Sequence, residues 1–178
     1  AGMILLAALS RLLPHPPNFS PVEAIALFGG AYFASRVWAV AVPLIAMLVS
    51  DIALGLSMGG EYWSYVASSL SFWAVYVCVA LSCVLGFGLR GRVGGARVLG
   101  YGLMGSVLFF LVTNFAVWLA ATPVSGHSAC VAGLGPCYVA AIPFFKNTLL
   151  GTLCYSALLF GGFELLRRRV PTLRAETV

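Results

Sequence analysis

Charge is what this sequence has least of. Only 8% of its 178 residues are Asp, Glu, Lys or Arg, and five of those are acidic. A water-soluble domain carries about a quarter charged residues, so this chain cannot cover itself with polar surface in water. Catalytic signatures are missing too: there is no P-loop, dinucleotide fingerprint, His-Glu-x-x-His or Cys-x-x-Cys. Ser125-Gly126-His127-Ser128 lacks the form of a nucleophile elbow. The two histidines, His15 and His127, stand at no metal-ligand spacing and read as solvated loop residues. The chain is therefore not expected to be an enzyme or to hold a metal or cofactor.

What is present is apolar. Hydrophobic residues make up 61% of the chain. Six apolar runs can be marked off, at residues 1–13, 21–33, 37–56, 64–89, 98–121 and 138–166. They lack the alternation of barrel strands, so the expected fold is an all-α membrane protein: one domain over residues 1–178, a bundle of about six transmembrane helices. The first run is too short to span and reads as a helix trimmed at its start, with a cleaved signal peptide as the competing reading. Pro14-His15-Pro16-Pro17 stops it. Pro143 marks a kink or break in the sixth run.

Ten basic residues outnumber five acidic ones. In a soluble chain this excess would suggest nucleic acid, but here the basic residues sit at span ends. Arg36, Arg90, Arg92, Arg97, Arg167, Arg168, Arg169 and Arg174 share one face in a six-span arrangement. The positive-inside rule makes that face cytoplasmic, with both termini and the tail 167–178 on it. Residues 14–20, 58–63 and 122–136 then lie outside. The last segment holds Cys130 and Cys137, which either form a disulfide or remain free thiols. Cys78, Cys83 and Cys154 read as small side chains within apolar runs.

The other polar residues collect in the outer half: Arg11, His15, Asn18, Asp51, Asn114, Lys146 and Asn147. Ionisable groups within a membrane face a cavity or one another, so the cluster suggests a pocket open to the outside. Each has a plainer reading. Arg11 would snorkel to the interface, Asn114 would bridge helices, and Glu23 in Ser20-Pro21-Val22-Glu23 would cap the second helix. Asp51 needs a partner; Lys146 and Arg11 are the available cations, and Asp51 and Lys146 are expected in one polar pocket. The four-residue spacing of Ala26, Gly30 and Ala34 marks a close helix contact, within the bundle or with a partner subunit.

Three stretches carry a family resemblance. Ala26-Leu27-Phe28-Gly29-Gly30-Ala31-Tyr32-Phe33, the helix ending near Val49-Ser50-Asp51-Ile52-Ala53-Leu54-Gly55, and Ile142-Pro143-Phe144-Phe145-Lys146-Asn147-Thr148-Leu149-Leu150-Gly151 resemble helices of the substrate-binding S components of energy-coupling factor (ECF) transporters. With residues 11–21 included, the pattern is similar to a family of uncharacterised bacterial membrane proteins described as transport proteins. The resemblance implies a six-helix bundle in the bacterial inner membrane that takes a vitamin-like small molecule from outside and docks on a coupling transmembrane subunit driven by ATPases. Ala26, Gly30 and Ala34 are the only match to the docking motif. Asn147 and Thr152 stand where several S components have acidic residues. The expected function is a substrate-binding subunit of a small-molecule uptake transporter; the alternative is a structural or accessory subunit of a larger membrane assembly.

Overall fold

A computed structural model describes residues 1–123 and 128–170. All six apolar runs are helical, and no strand occurs among the described residues. The helices are α1 (Gly2–Leu9), α2 (Val22–Tyr32), α3 (Arg36–Met58), α4 (Gly60–Ser68), α5 (Leu70–Gly86), α6 (Gly95–Leu119), α7 (Ser128–Ala132), α8 (Leu134–Ser156) and α9 (Gly162–Arg169). Short 3-10 turns extend α1 and α5, and a π-helical turn, Ala157–Gly161, joins α8 to α9. Four segments are long and apolar enough to cross a bilayer: Arg36–Met58, Leu70–Leu89, Gly95–Leu119 and Leu134–Arg169. The expected six crossings thus resolve into four long helices and two short ones. At 11 residues, α2 is only about 16 Å long, roughly half a hydrocarbon core.

Local chemistry sets most boundaries. Ser35 caps α3 by accepting from the Trp38 amide, and Ser69 caps α5 by accepting from the Phe72 amide. Gly59, at φ +73°, ends α3, so part of the expected outer loop 58–63 and the start of the fourth run become a separate helix, α4. The fourth run is therefore cut at Ser69. Pro143 lies inside α8 without breaking it, as does Pro43 in α3.

The short helix α2 is the hub. All 11 of its residues are buried, and it packs on α1, α3, α5, α6 and α8. Its crossing with α5 is glycine-dependent on both sides. A Cβ on Gly30 would overlap the Cys83 carbonyl, and one on Gly86 would sit 2.6 Å from the Leu27 carbonyl oxygen. Ala26 and Gly30 are therefore used up inside the bundle and offer no face to a partner subunit, while Ala34 lies exposed beyond the helix end. Outward faces remain apolar: Trp73, Val77, Leu81 and Val84 recur along one side of α5, all exposed. Four long helices with such faces make this a membrane protein.

One end of the bundle is rich in arginine. Arg90 closes the C-terminus of α2, donating through Nε to Gly30 O (2.9 Å) and through Nη2 to Phe33 O (2.8 Å). Arg36 and Arg90 both lie over the Phe87 ring. Tyr32 donates to Glu164 of α9 (2.7 Å), which brings Arg167, Arg168 and Arg169 to the same end.

Candidate functional site

The opposite half of the molecule has an unusual floor. Between α1 and α2 the chain has no regular helix from Leu13 to Ser20, and Pro14 to Asn18 are exposed. Its depth follows from its contacts. Asn147 donates to Pro17 O (2.9 Å), about 20 Å along α8 from Leu134. A Cβ on Gly151 would lie 2.8 Å from the Ser20 amide nitrogen, so that glycine seats the segment against α8. Arg11 meets Asp51 about 10 Å short of the end of α3 at Met58. The segment is thus sunk well below the nearby ends of the long helices, Met58 of α3 and Leu134 of α8. Irregular backbone at such depth is tolerated only where protein buries it or a water-filled cavity bathes it. Exposed residues 14–18 thus face an open space beside the helices, the vestibule.

At the side of this floor lies a buried ionic cluster. Arg11 Nη1 is 2.7 Å from Asp51 Oδ1 and donates to Ser50 Oγ (2.6 Å). Ser50 in turn donates to the Met47 carbonyl, and Met47 Sδ lies 3.7 Å from Nη1. Tyr62 of α4 donates to Asp51 Oδ1 (2.8 Å), and Tyr76 of α5 makes a short bond to Oδ2. One carboxylate therefore ties together α1, α3, α4 and α5. Burial and the adjacent Asp51 both push the Tyr62 pKa up, so it stays a donor. Asp51 is saturated, whereas Arg11 is not: its Nε and Nη2 have no partner among the described residues and are not sealed from solvent.

The sequence-derived residues divide accordingly. Arg11, His15, Asn18 and Asn147 belong to the floor or its contacts, with Asp51 beside them. His15 binds Leu13 O through Nδ1, and Asn18 adopts φ 63° in the turn. The expected Asp51–Lys146 pairing does not form. Lys146 is exposed without a partner among the described residues, because α8 packs on α6, α7 and α2 while α3, which carries Asp51, lies against α1, α2 and α5. Asn114 bonds back to Phe110 O of its own helix (2.8 Å) rather than bridging to another. His127 lies outside the described residues. Cys130 and Cys137 are joined by a disulfide at the start of α8.

Glu23 is no helix cap. It is buried, with Oε2 accepting from Ser82 Oγ of α5 (2.6 Å) and Oε1 without a partner among the described residues. Gly105 of α6 makes room for it, since a Cβ there would be 2.6 Å from Oε2. Tyr62 and Tyr76 were missed from sequence, although a carboxylate in an apolar run calls for buried donors, and tyrosines flanking it are the natural source.

A family model described as a family of unknown function (DUF6580) matches residues 1–173. No curated protein and no solved structure matches the sequence.

Proposed function

The chain belongs to the DUF6580 family of unknown function, and for this member we propose a role as the substrate-binding membrane subunit of a small-molecule uptake system. The observation that carries the reading is Arg11. Its guanidinium stands at the edge of a sunken, solvent-lined floor, held on one side by Asp51 and Ser50 and open on the other. A fixed guanidinium with free donors, away from bulk water, is a site for a carboxylate or similar anion. Tyr62 and Tyr76 hold Asp51 so that it neutralises and orients Arg11 rather than meeting the ligand. The ligand is a vitamin-like organic anion whose acid group reaches Arg11.

In this reading the arginine-rich end is cytoplasmic, the vestibule and the Cys130–Cys137 bridge face outside, and the host membrane is the bacterial inner membrane. The six apolar helices act as an S-component-like bundle. Energy would come from a separate coupling subunit and its ATPases, since the chain has no nucleotide motif. The coupling surface would have to differ from Ala26 and Gly30, which are buried.

The test is a thermal-shift and binding screen of purified protein against carboxylated metabolites and vitamins, with neutral analogues alongside. An anionic ligand should stabilise the wild type and not Arg11→Gln. No ligand, or binding indifferent to Arg11→Gln, would refute it. A stoichiometric complex with proteins unrelated to transport would favour an accessory role instead.

A further inference from the structure

A cavity of about 450 Å³ opens toward the arginine-rich end, and none of its lining residues belongs to the vestibule. The start of α6 forms one wall and the end of α8, with the π-helical turn, forms the other. Val98, Leu99, Leu153, Ala157 and Phe160 make it apolar. Its size falls within the range of small-molecule sites. Within the apolar lining stands Ser156, 4% exposed, whose Oγ has no partner among the described residues. A buried hydroxyl left unbonded is unfavourable, and a serine in a helix can ordinarily bond back to its own backbone. Here that bond is not made, so the hydroxyl is available to whatever fills the cavity.

The rim carries the opposite chemistry. The cavity reaches Gly94 and Gly95, the N-terminus of the 25-residue helix α6. No side chain caps that end and no acidic residue occupies its first turn. Arg97 stands in the first turn, where the helix dipole disfavours a cation, and Arg92 lies just before it. Both are exposed and neither has a side-chain partner among the described residues. Open amide donors and two arginines together form an anion site. The one nearby carboxylate among the described residues, Glu164, is engaged by Tyr32 (2.7 Å) and Arg167 (3.4 Å) through Oε1.

We propose that this cavity holds one anionic phospholipid: its phosphate sits on the α6 N-terminus between Arg92 and Arg97, its ester carbonyl accepts from Ser156, and an acyl chain fills the space between α6 and α8. An amphiphile meets all three demands at once, which free phosphate or a fully apolar molecule does not. Basic rims beside interhelical pockets at a membrane surface suit anionic headgroups. The site is independent of what the vestibule binds and rests on none of the same residues.

The test uses the full chain in nanodiscs of equimolar phosphatidylglycerol and phosphatidylcholine, released into mild detergent for native mass spectrometry. One phosphatidylglycerol should stay bound in preference to phosphatidylcholine. Each arginine near such a headgroup is worth a factor of roughly five, so Arg92→Gln with Arg97→Gln should cut that preference roughly 20-fold. Leu99→Trp, a change at a half-exposed lining position that fills the cavity, should abolish retention while leaving elution, and melting in lipid-free detergent, unchanged. Millimolar inorganic phosphate should not displace the lipid. Equal retention of the two lipids, retention surviving Leu99→Trp, or stabilisation by phosphate alone equal to that by the lipid would overturn the proposal. None of these outcomes bears on ligand binding at Arg11.

Discussion

Replacing Arg11 by methionine removes a cation from a carboxylate that is almost wholly buried. The Asp51 side chain is 4% exposed and that of Arg11 17%, with 2.7 Å between the charged atoms. At an effective dielectric of ~20, their attraction is about 6 kcal/mol, while desolvation costs several kcal/mol for each ion. The intact pair therefore contributes little net stability. Breaking it from one side is another matter. In Arg11→Met the carboxylate keeps only the two tyrosine hydroxyls, and the expected loss is about 3–5 kcal/mol. In Asp51→Asn the surviving guanidinium keeps Ser50 and some access to solvent, so the loss should be smaller, about 1–2 kcal/mol. The double variant should be close to Asp51→Asn alone, giving a coupling as large as the Arg11→Met loss itself, about 3–5 kcal/mol. Equilibrium unfolding in mixed micelles, followed by circular dichroism, would measure all four corners of the cycle. Additivity to within about 0.5 kcal/mol, or a larger loss in Asp51→Asn than in Arg11→Met, would refute this account.

Other consequences are as direct. Gly30→Ala should destabilise by about 1–3 kcal/mol or prevent folding, since its methyl meets the Cys83 backbone; Gly60→Ala, where a Cβ meets nothing within 4 Å, should be near neutral in the same melt. Replacing Cys130 and Cys137 by serine should cost about 2–3 kcal/mol for so short a loop, and unreduced peptide mapping of the wild type should find the two joined. A cysteine placed at Arg92 should resist a membrane-impermeant reagent applied to spheroplasts, and one placed at Asn18 should react; the reverse pattern would invert the proposed orientation. Ser82→Ala should cost about 1–3 kcal/mol, because both Glu23 oxygens would then be buried without a donor.

Much of the architecture could be read before any coordinates. Apolar runs locate helices well, because a membrane helix needs little beyond length and hydrophobicity, and the spacing of Arg36, Arg90 and Arg167 placed them at one end. The need of Asp51 for a cation was equally plain. Its choice of Arg11 over Lys146 was not, since both lie at suitable depth. The choice turns on which helices are neighbours, and periodicity says nothing about that. The same blind spot hid Ser82 as the partner of Glu23, whose position after Ser20-Pro21 matched a cap motif equally well. The break at Ser69 was written in the sequence as serine before a new apolar segment, but the continuous hydrophobicity on either side outweighed it. Sinking of residues 14–20 could not be inferred from proline content, because the same prolines would serve a loop at the surface.

The brevity of α2 bears on how the protein is made. A translocon releases segments into lipid one at a time, according to their own partition energy, and an 11-residue stretch carrying Glu23 is a poor candidate. Its buried, helix-wrapped position is available only after α5, α6 and α8 have been synthesised, because those are the walls it leans on. The hub of the finished structure must then be among the last parts to reach its place. Until α8 emerges from the ribosome, the nascent chain holds a short segment walled on some sides by α1, α3 and α5 but still open where α8 will lie.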